Sequence, residues 1–276
     1  MKVFGIDFTS RPQRGKPITC VCCSFEGQVL EFSGLELWHE FASFERALLA
    51  PGPWIAGIDF PFGQSRTFIE NIGWPRNWLG YVNHAASLGR EGFCAALDDY
   101  RSRRPKGDKE HRRVTDIAAS SISPQKLYGV PVGKMFFEGA PRVARSGVTI
   151  PGLLSGDPDR IVVEAYPGIL ARRLIGRVSY KSDNRKKQTR AQLDARRTIL
   201  DRITSDQDLA CCGFRVHAPK TLADDPSGDE LDALLCAVQA AWAWSKRDAA
   251  FGAPSALDLI EGWIADPGLI QERISN

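Results

Sequence analysis

The sequence predicts a mixed α/β fold: a five-stranded sheet, its first three strands antiparallel and its last two parallel, flanked by helices in a single domain over residues 1–276. Three observations predict it. Three runs rich in Val, Ile, Phe and Cys follow one another at the N-terminus with short breaks, as in a meander. A helix-length segment then separates them from a fourth apolar run, and a crossover of that length returns the chain in parallel. A fifth run, Asp-Arg-Ile-Val-Val-Glu-Ala-Tyr at 159–166, leads into Pro167, a residue suited to the first turn of a helix.

In order, the strands are read at Met1 to Phe8, Pro17 to Phe25 and Gln28 to Leu37, with Glu26-Gly27 as the tight turn between the last two. Trp38 to Ala50 carries Phe41, Phe44, Ala47 and Leu48 at helical spacing, and Pro51-Gly52-Pro53 stops it. Trp54 to Phe60 is strand four, expected beside strand one. From about 63 to 160 the periodicity is lost among Gly, Pro, Trp74, Trp78 and a basic stretch, which reads as a helical or irregular insertion. After the fifth strand, Gln188 to Ile203 forms a basic amphipathic helix with Leu193, Ile199 and Leu200 inward. Gly228 to Ser245 is a strong Ala/Leu-rich helix whose alanines permit close packing on a sheet.

The composition, 43% hydrophobic and 25% charged, is that of an ordinary globular chain. No apolar run approaches the eighteen or so residues that span a bilayer, and the first residues lack the pattern of a signal peptide. The expectation is a cytoplasmic protein with no membrane partner. Seven cysteines, two pairs of them adjacent and none at Cys-x-x-Cys spacing, make a poor disulfide framework. His39, His84, His111 and His217 are scattered, so no zinc pattern emerges. Net charge is only +3, yet 171–202 holds eleven Lys or Arg against three Asp and 101–113 holds seven against two acids, leaving the remainder at about −10. Such an asymmetry reads either as solvated helix faces or as a phosphate-binding surface.

The chemistry lies in carboxylates. Gly5-Ile6-Asp7-Phe8 is echoed by Gly57-Ile58-Asp59-Phe60 about fifty residues later, and parallel pairing of the two strands would end Asp7 and Asp59 side by side. Glu164 ends the fifth strand. Asp229 and Asp232, three apart, share a face of the first turn of the last helix. The alternative for Asp229 is a plain helix cap, favoured by the helix dipole. Several carboxylates converging in a partly buried place need a cation. Mg²⁺ or Mn²⁺ suits an all-oxygen set, and two such ions about 4 Å apart would activate a water and stabilise the leaving oxygen of a phosphodiester.

These motifs carry a resemblance. Three antiparallel strands, a helix and a fourth strand, with Asp on strand one, an acid on strand four and a late Asp-x-x-Asp-Ala-Leu helix, look like the ribonuclease H-like fold. The stretch Gly228-Asp229-Glu230-Leu231-Asp232-Ala233-Leu234 is similar to the last acidic helix of Holliday-junction resolvases. The phrases Gly-Ile-Asp-Phe-Thr-Ser, Gly-Ile-Asp-Phe-Pro-Phe-Gly, Ser123-Pro124-Gln125-Lys126-Leu127-Tyr128-Gly129, Val163-Glu164-Ala165-Tyr166-Pro167 and Asp-Glu-Leu-Asp-Ala-Leu-Leu-Cys resemble the domain-of-unknown-function 429 family, predicted ribonuclease H-like nucleases. The resemblance implies Asp7, Asp59 and Asp232 as metal ligands, with Asp229 as neighbour in the catalytic set. Glu164 joins as a fourth ligand or as a residue orienting Tyr166 and Lys181. A nuclease would take nucleic acid as partner, with Lys126, Lys134, Arg112, Arg113 and Lys181 as candidate phosphate contacts, the alternative for each being a surface cation.

Two other classes compete with a nuclease. Asp7-Phe8-Thr9-Ser10 loosely fits a nucleotide-binding phosphotransferase of the actin and sugar-kinase type, but those proteins need two such domains. The phosphate-loop-like stretch from Gly129 to Met135 is one residue short, with Pro131 removing an amide. A non-catalytic nucleic-acid-binding module of the same fold is the other alternative.

Overall fold

The computed structural model describes residues 1–182, 184–205 and 212–271. Strands β1 (Lys2–Asp7), β2 (Ile18–Glu26) and β3 (Val29–Trp38) form the antiparallel meander, and helix α1 (Phe41–Leu48) returns the chain to β4 (Trp54–Ile58), parallel to β1. The hairpin turn falls one residue later than expected. Gly27 and Gln28 are its two loop residues, both at positive φ (54° and 62°), the pair that matches the twist of the flanking strands.

The insertion holds α2 (Arg66–Ile72), α3 (Trp78–Ser87), α4 (Gly89–Ser102), α5 (Val114–Ala118) and α6 (Val132–Arg145). A two-residue strand β5 (Val148–Thr149) and then β6 (Asp157–Glu164) follow, with α7 (Pro167–Ile175), α8 (Arg190–Ile203), β7 (Arg215–His217) and α9 (Asp229–Ser245) completing the scaffold. The sheet order is β5-β6-β4-β1-β2-β3-β7, seven strands where five were expected. Both extra strands pair in parallel at the edges, β5 on β6 and β7 on β3. Two or three residues are too few to show a period in sequence.

The pleat sorts the core into two layers. Val3, Ile55, Ile161 and Val163 point to the face covered by α7, α8 and α9, whereas Ile6, Ile18, Ile58 and Val162 point to the face covered by α1 and the insertion helices. Successive residues alternate between these faces. Helix α9 is buried almost all round, as expected of a helix seated centrally on a sheet. Cys20, Cys23 and Cys236 are small core residues; Cys211 lies outside the described residues. Among the described residues no helix is long and apolar enough to cross a membrane.

Candidate functional site

The repeated Gly-Ile-Asp phrase is a helix seat with a carboxylate at its end. β1 and β4 pair with Gly5 opposite Gly57 and Ile6 opposite Ile58, and the Asp59 amide donates to the Ile6 carbonyl (2.9 Å). A Cβ placed on Gly5 would meet the Ala233 carbonyl oxygen at 1.9 Å and the Ala237 nitrogen at 2.3 Å; one on Gly57 would meet the Cys236 oxygen at 2.4 Å. Only bare glycine lets the α9 backbone lie this close. Pleat parity puts Asp7 and Asp59 on that same face, two residues beyond each glycine, next to the first turn of α9. Asp7, Asp229 and Asp232 are buried and Asp59 is half-buried.

The four aspartates feel one another. Burial pushes the Asp7 carboxyl well above the usual aspartate range, opposed by the Lys181 ammonium and reinforced by Asp229, Asp232 and Asp59. Asp59 is pushed up to about 7 by burial, with Lys181 opposing and Asp232 and Glu164 adding. Burial also raises Asp229, against Lys16, whose Nζ lies 3.9 Å away. Asp232, fully buried, accepts a hydrogen bond from the Tyr180 hydroxyl (2.7 Å) and an ion pair from Lys181 Nζ. Burial works against the Lys181 charge, yet Asp232, Tyr180 and Asp7 together hold its pKa well above the ordinary lysine value.

A pH dependence follows, because raised carboxyl pKa values favour folding most where those groups are protonated. In chelator, the contribution of Asp59 to stability is fully present below its unfolded pKa and lost as pH rises through about 7. The melting temperature should therefore fall between about pH 4 and pH 7 and level off above, and Asp59→Asn should flatten that slope. An unchanged slope in the variant would refute the assignment.

Among the described residues, no three His, Cys, Asp or Glu side chains are grouped as ready ligands for one ion. Lys181 supplies the compensating charge at Asp232 instead. The donor chemistry nevertheless fits a hard divalent cation: buried, mutually repelling carboxylate oxygens without thiolate or imidazole. Asp7, Asp59 and Asp232 are the residues that would hold it.

Glu164 belongs to a different constellation. It sits opposite Ile58 in the β4/β6 register, so its side chain leaves the sheet on the face away from α9. There it accepts from the Phe62 amide (2.8 Å) and from both terminal nitrogens of Arg113 (2.7 and 2.5 Å). It hydrogen-bonds neither Tyr166 nor Lys181 as expected; it fixes the turn that follows Asp59. Arg113, expected as a phosphate contact, is 1% exposed. Its Nε and Nη2 donate to Asp116 (2.9 Å each) and its Nη1 to the Glu261 carbonyl (3.2 Å), so all five guanidinium donors are taken.

The cap reading of Asp229 is also corrected. Asp225 Oδ2 accepts from the Asp229 amide (2.8 Å) and the Glu230 amide (3.3 Å), behind Gly228 at φ 77°, which leaves the Asp229 carboxylate to face the cluster. The Asp225-Pro226-Ser227-Gly228 turn was the available signal for this role. Of the other expected phosphate contacts, Arg112 is exposed, Lys126 Nζ lies over the Tyr128 ring (5.0 Å) and Lys134 lies in the first turn of α6. Lys181 alone among the five reaches the aspartates.

A cavity of about 400 Å³ opens beside the cluster, lined by Asp59, Asp232 and Lys181 and also by Arg113, Asp116 and Glu164. A second, also about 400 Å³, lies around Lys16, Arg185, Asp229 and Glu230. Against known proteins, no curated protein and no solved structure matches this chain. The model of the family described as protein of unknown function (DUF429) matches residues 5–256, a span that takes in Asp7, Asp59, Arg113, Glu164 and α9, and the chain belongs to that family.

Proposed function

We propose that the chain is a metal-dependent nuclease of ribonuclease H-like architecture that hydrolyses nucleic-acid phosphodiesters. The observation that carries this reading is the convergence, by glycine-seated packing of α9 on β1 and β4, of four charge-coupled aspartates at one rim of the sheet. Asp7, Asp59 and Asp232 would hold Mg²⁺ or Mn²⁺, with Asp229 completing the acidic set. When bound, a divalent ion supplies acidification of water and charge neutralisation at the phosphate. Lys181, Lys16 and Arg185 flank the carboxylates as cations able to hold the phosphate backbone. The Tyr180 hydroxyl, by donating to Asp232, orients that carboxylate. Asymmetric charge along the chain suits a polyanionic partner.

Asp7→Asn tests it. Losing an outer-shell partner of a metal costs about 10–100-fold, so losing a ligand should reduce Mn²⁺-dependent cleavage by about a hundredfold or more. The same change should raise the melting temperature in chelator, since it replaces a carboxyl that burial and three like charges oppose. Equal cleavage by the variant would defeat the proposal.

A further inference from the structure

The cavity beside the aspartates is unlike the cluster in chemistry. Its 400 Å³ falls within the roughly 300–1,000 Å³ of small-molecule sites. Pro61, Ile122, Val130, Val132, Met135 and Tyr166 are among its lining, and its charged lining residues are Asp59, Asp232 and Lys181 of the cluster and Arg113, Asp116 and Glu164 of the buried network. Arg113 offers a phosphate nothing, because all five of its donors go to Asp116, Glu164 and the Glu261 carbonyl. An apolar slot next to a charged rim instead matches a flat ring joined to a phosphate.

The aromatic wall is held in advance. The Tyr166 amide donates to Gln239 Oε1 (2.9 Å) and its carbonyl accepts from Gln239 Nε2 (3.2 Å), which fastens this residue to α9. Its ring lies against Gly168, where a Cβ would come within 3.0 Å of it. A ring on a fastened backbone, backed by Gly168, loses little freedom on stacking.

We propose that this cavity receives one unstacked nucleobase, that of the nucleotide whose phosphate lies at Asp59, Asp232 and Lys181. The inference rests on the nuclease reading and adds to it a single-stranded or locally opened substrate, since a paired base cannot enter such a slot.

The test uses the full chain carrying Asp7→Asn, titrated with aminopurine nucleoside monophosphate and with a single-stranded oligonucleotide holding one aminopurine. A saturable fluorescence change is expected with both probes. Tyr166→Ala should weaken it about tenfold, as loss of a stacking ring does. Ile122→Ala, at an exposed wall position that leaves the core alone, should weaken it about threefold. Binding of an abasic oligonucleotide should be unmoved by either change. Affinities within twofold in both variants would overturn the pocket, and a response to the monophosphate with none to the oligonucleotide would overturn its placement on a strand. Mn²⁺-dependent cleavage by the otherwise unsubstituted chain separates the two readings. Cleavage that Tyr166→Ala and Ile122→Ala leave unchanged keeps the nuclease and removes the pocket, whereas pocket-dependent binding without cleavage does the reverse.

Discussion

Gly5→Val should cost the protein its native packing. Even the first carbon of the new side chain falls 1.9 Å from a carbonyl oxygen of α9, and that contact is with helix backbone, which cannot rotate away. Relief requires lifting a helix that packs Leu231, Leu234, Leu235 and Val238 into the core. The expected loss is more than about 4 kcal/mol, the range of severe core disruption. At roughly 2–4 °C per kcal/mol for a chain of this order of size, the melting temperature should drop by about 10 °C or more. Gly57→Ala should act in the same direction through the Cys236 carbonyl. The double variant should cost less than the sum, because a helix already lifted from one strand no longer presses on the other. Gly34→Val on β3 is the control: nothing lies within 4 Å of a Cβ there, so the change should be neutral or stabilising. Thermal unfolding of the four variants decides it, and a Gly5→Val protein melting with the parent would refute the account of why the Gly-Ile-Asp phrase occurs twice.

That phrase also marks how far the sequence could be read. Five strands, the meander of the first three, the place of the fourth beside the first and the helices α1, α8 and α9 were legible because each has a period or a stop signal of its own. Asp7 and Asp59 were legible as neighbours because two parallel strands with the same phrase come into register. The parity that separates Glu164 from them was latent in the alternation along β6, but its use needed the β4/β6 register, which places Glu164 beside Ile58 and not beside Gly57. Partners distant in the chain were not legible. Arg113 sits at the end of a run of surface arginines and looks like one of them. Its acceptors Glu164 and the Glu261 carbonyl stand 51 and 148 residues away, where no local pattern can announce them. Lys181 looked like a phosphate contact for the same reason, since its partner Asp232 is 51 residues distant.

Arg113→Met should be the most damaging change outside the glycine seat. The guanidinium lies between two buried carboxylates and keeps its charge despite burial because both surround it. Removing it leaves Asp116 and Glu164 facing each other without a cation, and such a break costs about 3–5 kcal/mol. Burial already pushes the Glu164 carboxyl up with Arg113 present, so the variant should recover stability at low pH, where protonation removes the repulsion. Combining Arg113→Met with Asp116→Asn and Glu164→Gln should recover much of the loss at neutral pH, as neutral groups need no counter-ion. Arg113→Lys should not rescue, since three donors cannot serve five acceptors held in a planar fork. Urea midpoints at two pH values for these variants make the test, and a Lys variant as stable as the parent would show that charge alone, without the fork, holds the turn. Because Glu164 binds the Phe62 amide, the defect should also reach the site: the turn after Asp59 loses its anchor, and the proposed Mn²⁺-dependent cleavage should fall in Arg113→Lys even where the fold survives.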